Sequence, residues 1–209
     1  GTDVSNGPAD LLGRAGEHKV VPGFQQNRLC LHQALPDSPV GGLPEVTAFT
    51  VTSADVADGG EWAVPQRSGI LGAGGSDVSP QLSWSGAPEG TKSFAVTIYD
   101  PKAPTGSGFW HWAVADIPAT VTGLEAGAGS PEGTRLPDGA WQLANDLSLK
   151  QYLGAAPPPG NGLHTYYIAV HALDVESLGL PENATPAFLA FNLNGHTLGR
   201  GVLTAVYEQ

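Results

Sequence analysis

Residues 94–112, FAVTIYDPKAPTGSGFWHW, decide how this chain is read. Phe94 to Tyr99 is a run of branched and aromatic residues that suits a pleated strand. Asp100 ends the run, and Pro101 cannot donate to a ladder. Pro101 to Gly108 predicts a tight loop, stiffened by proline and released by glycine. Phe109 to Ala115 then predicts a second strand. A carboxylate at one strand end and His111 in the next are thus joined by a rigid connector, which can place both in one pocket. A solvated aspartate and a hydrogen-bonded core histidine fit the same residues.

Working outward, strands dominate from Thr47 onward. Ala48 to Ser53 alternates, Asp58–Glu61 predicts a turn, and Trp62–Val64 the start of a returning strand. Gly72–Asp77 lacks the Gly-Lys-Ser/Thr ending of a phosphate-binding P-loop, so it is a plain loop. Ser79–Trp84 is a short strand with Leu82 and Trp84 on one face, and Ala140–Leu143 another. Tyr152 to Gly162 is too rich in proline and glycine to pair, and predicts a preformed loop. Leu163–Ala172 is a strand whose period of two puts His164, Tyr166, Ile168 and Val170 on one face. Thr165, Tyr167, Ala169 and His171 take the other, so His171, like His196, reads as structural. Pro186–Leu193 predicts a helix, and His196–Tyr207 fits helix or strand.

Residues 1–44 lack sustained periodicity beyond short helices over Pro8–Leu12 and Gly23–Leu35. They read as an arm on a single domain spanning 45–209. With 41% hydrophobic and 14% charged residues and no long apolar run, the chain reads as soluble and globular. Nine Lys and Arg against 20 Asp and Glu give a net charge of −11. That charge opposes nucleic-acid binding and docking on anionic lipid. Any anionic ligand must then be held by local dipoles and neutral donors. A single cysteine, Cys30, excludes an internal disulfide framework. Methionine is absent, position 1 included, so the chain reads as processed or trimmed and fits a cytoplasmic or a secreted protein.

Asp100, His111, His164 and Tyr166 sit beside proline- or glycine-rich loops. As a metal set they lack HxH, HExxH or Cys/His spacing, so no metal or other cofactor is expected. A G-x-S-x-G nucleophile elbow is absent. Imidazole and phenol donors with loop amides form a coherent anion site without Lys or Arg.

The chain resembles the phosphatidylethanolamine-binding protein family, also called Raf-kinase-inhibitor-like, in its bacterial branch. The carriers are Ser79-Pro80-x-Leu82-x-Trp84, Gly90–Val96, Asp100–Pro104, Thr105–Trp112, Asn145-Asp146, Pro157-Pro158 and Gly162–Tyr166. The resemblance implies a mainly β, sandwich-like fold: a large antiparallel sheet, a smaller sheet and a few peripheral helices. It also implies a small pocket for phosphate-like anions. Asp100, His111, His164 and Tyr166 would be in it, with Tyr152, Pro157 and Pro158 on its wall. In this scheme Asp100 accepts a hydrogen bond from an imidazole or a loop amide and keeps His111 oriented, while His111, His164 and Tyr166 donate to the anion. The family's cis peptide falls at Ala103–Pro104, an X–Pro bond where the cis form costs only about 0.5–1 kcal/mol. Lys102 replaces the second aspartate of DPDAP, and Thr165 the arginine of GxHRY.

The reading placed first is a non-enzymatic module binding a small anionic or phosphorylated ligand. The second is an enzyme using His111, His164 and Asp100 for acid–base chemistry. The third is an interaction or inhibitory module acting through loops or the arm, which leaves a protein partner or homodimer open.

Overall fold

The computed structural model describes residues 43–209. The two short helices expected in the first 35 residues, and Cys30, lie outside the described residues. Ten strands form two sheets. In chain order they are β1 (Thr47–Ala48), β2 (Thr50–Thr52), β3 (Gly60–Glu61), β4 (Leu82–Ser85) and β5 (Ser93–Asp100). There follow β6 (Phe109–Pro118), β7 (Gly123–Leu124), β8 (Trp141–Gln142), β9 (His164–Leu173) and β10 (Thr197–Tyr207). The large sheet runs β1-β10-β9-β5-β6-β8, with β3 also on β10; the small sheet runs β2-β4-β7. The long strands are antiparallel to their neighbours, as expected. The two-residue β1 and β3 pair with β10 in parallel and make the large sheet mixed.

Strand alternation explains the core. Phe94, Val96 and Ile98 of β5, with Ile168 and Val170 of β9, pack with Leu82 and Trp84 of the small sheet. On the opposite face the chain places alanines: Ala95, Ala113 and Ala115. These small side chains let Leu189 and Leu193 of α1 (Pro186–Leu193) join the same cluster. With both faces covered, β5 is buried almost throughout. Helix α1 starts where the sequence places it. Thr185 Oγ1 caps the Phe188 amide, and Pro186 stands where a helix needs no N–H.

One sequence expectation is corrected and one open reading is resolved. The returning strand at Trp62–Val64 is instead Gly60–Glu61, because the glycine permits the close turn onto β10; Val64–Gln66 forms a 3-10 turn opened by proline. The segment 197–207, compatible with helix or strand, is a strand because β9 offers it a full antiparallel edge, from Thr197 opposite Leu173 to Tyr207 opposite His164.

His171 faces away from His164. The Arg200 Nε–H donates to His171 Nδ1 (2.9 Å), so the ring proton sits on Nε2 and donates to Thr97 Oγ1 (3.0 Å). Burial, then the Arg200 charge, push His171 down to about 3. The unfolded chain, with histidine near 6.5, therefore binds more protons than the folded one as pH falls. Acidification from about pH 6.5 to 3 should cost on the order of 4 kcal/mol through this residue alone. Urea unfolding at pH 7 and pH 4 checks it. His171→Gln should flatten the pH dependence, and an unchanged slope would contradict the assignment.

Candidate functional site

The site begins with the geometry of one aspartate. Asp100, the last residue of β5, is only 2% exposed. Its Oδ1 accepts from the amides of Lys102 (2.9 Å) and Ala103 (3.2 Å), which folds the chain into a turn. Its Oδ2 meets His164 Nδ1 at 2.7 Å, and the other ring nitrogen lies 2.7 Å from Asn161 Oδ1. Lys102 Nζ donates to the Leu163 carbonyl (2.9 Å), a second tie between the loop and the start of β9. Gly108 closes the loop at φ +70°, where a Cβ would run into the Tyr99 ring and the Asp100 carbonyl.

His111 is placed by a bulge. Ile98 pairs with Trp112 and Tyr99 with Trp110, so His111 is the extra residue of β6. Its Nδ1 bonds the Leu153 carbonyl (2.8 Å), while the Leu153 amide donates to the His111 carbonyl (2.9 Å). Burial lowers the pKa of His111, partly opposed by the Leu153 carbonyl. Tyr166 of β9 lays its ring edge-on to His111, with centroids 5.2 Å apart. Its buried hydroxyl has no hydrogen-bond partner among the described residues. Burial, then Asp100, raise its pKa, so it stays a neutral phenol.

These groups open onto a cavity of about 160 Å³, small against the ~300–1,000 Å³ of drug-sized sites. The structure brings six of the seven expected residues to its lining: Asp100, His111, Pro157, Pro158, His164 and Tyr166. Tyr152 is not on the wall. Its ring packs against Trp112 in the core, and its hydroxyl donates to the Gln66 carbonyl (2.7 Å).

Three further expectations change. Asp100 holds His164, and His111 is held by Leu153, because β5 pairs with β9 at Tyr99–Tyr167 and brings the aspartate to the next strand. His164, engaged at both ring nitrogens, has none left to donate to an anion. No cis peptide bond occurs among the described residues: Ala103–Pro104 is trans, in a turn closed by the Asp100 carboxylate. Lys102 is tied to Leu163, and Thr165 is half-buried on the face away from His164.

Sequence reasoning missed the apolar walls Leu71, Phe109 and Ala156. It also missed Asn161, although its place three residues before His164 in a glycine loop was a usable signal. Asp77 gave none. At φ +53° its carboxylate takes the amides of Gly69, Ile70 and Gly154, and so ties the Leu71 loop to the segment that holds His111. Among the described residues no three His, Cys, Asp or Glu side chains gather as a metal site, and no helix is long and apolar enough to cross a membrane.

The family model for phosphatidylethanolamine-binding protein matches residues 52–208. The chain belongs to that family. The Escherichia coli proteins YbcL and YbhB are 45% and 44% identical to it over 164 and 158 residues. Those alignments cover 78% and 75% of this chain and 90% and 98% of the relatives. The crystal structure of YbcL, described as a new member of the mammalian family, matches with a TM-score of 0.75 over 78% of this chain and 99% of its own. A homologue from Chlamydia trachomatis, 26% identical, matches with a TM-score of 0.65 over 78% of this chain and 99% of its own. Family membership brings ligand binding as the general activity and names no ligand.

The Asp100–His164 pair should carry much of the local stability. Removing one partner of a buried pair strands the other, at about 3–5 kcal/mol. His164→Ala should lose that much in urea unfolding, whereas Lys102→Met, at an exposed tie, should lose under about 1 kcal/mol. Equal losses would contradict this ranking.

Proposed function

We propose that this chain binds a small anionic or phosphorylated ligand, of lipid-headgroup size, in the cavity over His111 and Tyr166. One observation carries the reading: a buried Tyr166 hydroxyl without a partner among the described residues, next to an imidazole that spends Nδ1 on the Leu153 carbonyl. Leaving such a group unpaired costs about 1–3 kcal/mol, which a ligand oxygen would offset. The apolar walls around it lower the local dielectric and strengthen each hydrogen bond made inside. The family name, and the YbcL relative placed in that family, support the same class of ligand.

Among the described residues no Lys or Arg lines the cavity, so recognition rests on neutral donors, and affinity depends on few contacts. The acid–base reading gains no specific support, since His164 is engaged at both nitrogens and Asp100 at both oxygens. The lining residues that the structure describes all fall within 45–209.

Calorimetric titration with inorganic phosphate, phosphoethanolamine and acetate tests this. The phosphorylated ligands should bind saturably. Tyr166→Phe, which keeps the ring, should weaken them about tenfold, the worth of one hydrogen bond at about 1.4 kcal/mol. His111→Ala should lose binding. Absence of binding to the wild type, or full binding in both variants, would refute the proposal.

A further inference from the structure

We infer that the cavity selects an oxyanion that still carries one O–H, a monoanionic phosphomonoester or hydrogen phosphate, over proton-free oxyanions such as phosphodiesters and sulfate. This rests on the reading that the cavity binds phosphorylated ligands, and it narrows the ligand class.

Leu153 fixes the tautomer of His111. A carbonyl oxygen only accepts, so the 2.8 Å contact from His111 Nδ1 puts the ring proton on Nδ1. A neutral imidazole has one N–H, so Nε2 offers the cavity a lone pair. The Tyr166 hydroxyl beside it has no partner among the described residues and supplies the donor. The lining therefore presents one acceptor and one donor. An oxyanion with an O–H satisfies both: its hydroxyl donates to His111 Nε2, and its charged oxygen accepts from Tyr166. A diester or sulfate would set a lone pair against that of Nε2, unless His111 took up a proton.

The surroundings oppose that uptake. His111 is 5% exposed, and burial holds its pKa down. Two carboxylates face it, Asp100 from the end of β5 and Asp146 from the loop after β8, and both favour protonation, though less strongly than burial opposes it. From β9 come His164, bonded to Asp100 and Asn161, and the neutral phenol of Tyr166. The nearby ammonium of Lys102 is turned to the Leu163 carbonyl. With no Lys or Arg in the lining among the described residues, and the His164 ring committed to Asp100 and Asn161, a second negative charge on the ligand would be poorly compensated in a low-dielectric cavity. A phosphomonoester has its second pKa near ~6, so the monoanion is available around neutrality.

The test uses the full wild-type chain and four probes: inorganic phosphate, phosphoethanolamine, the diester glycerophosphoethanolamine, and sulfate, titrated calorimetrically between pH 6 and 8. The first two should bind at least about tenfold more tightly than the last two. Above pH ~7 their affinity should fall toward tenfold per pH unit, as the monoanion is depleted. That slope alone does not distinguish a protonated ligand on a neutral imidazole from a dianion on an imidazolium, because both hold the same number of protons. Sulfate and the diester do. An imidazolium site would take them as well as phosphate, and increasingly so as pH falls. Sulfate or diester binding within about twofold of phosphate therefore overturns the inference and leaves the cavity as a phosphate site. No binding by any probe overturns the cavity reading and this inference with it. His111→Gln, whose amide offers either a donor or an acceptor, should bring sulfate level with phosphate. Should that variant fail to fold, the wild-type selectivity decides.

Discussion

A carboxylate with 2% exposure has to be matched by hydrogen bonds, and the organisation of this site follows from how Asp100 is matched. Two loop amides take one oxygen and an imidazole takes the other. The amides fold the loop after β5, and the imidazole draws the start of β9 to the end of β5. Asn161 and Lys102 then fix the neighbouring glycine-proline loop to the same point. The cavity is the space these constraints leave between two stiff loops. Its walls need little ordering when a ligand enters, because proline, glycine and Asx turns have already restricted them.

His164 and His111 consequently divide the work. His164 is wholly buried, bonded at both ends and structural in effect. His111, displaced by the bulge and held at one nitrogen, keeps the other for the cavity. Tyr166 is a neutral donor beside it. This arrangement suits a chain of net charge −11: the proposed anion would meet oriented neutral groups rather than a basic patch.

Much of this was legible in the sequence, for identifiable reasons. The strand from Phe94 and the strand from Leu163 declare themselves by branched, aromatic alternation, and the helix at Pro186 by its early proline. The family motifs place Asp100, His111, His164, Tyr166 and the two prolines near one another, and the structure lines one cavity with all six. What stayed illegible depends on pairing between distant strands. Which imidazole Asp100 holds is settled by the β5–β9 register and by the bulge at His111, neither of which leaves a local pattern. Tyr152 looks like a wall residue because it opens the proline loop, yet its hydroxyl is taken by Gln66, 86 positions away. Residues 197–207 fit two periods until β9 supplies the edge that selects one.

The central claim, that His111 Nε2 is the imidazole atom the ligand meets, is tested most directly by nitrogen-15 NMR of the histidine rings during a phosphate titration. In the free protein His111 should show a protonated Nδ1 and a bare Nε2. On adding phosphate its Nε2 resonance should move, while those of His171 and His196 stay in place. Saturable phosphate binding with no change at the His111 ring would contradict the account.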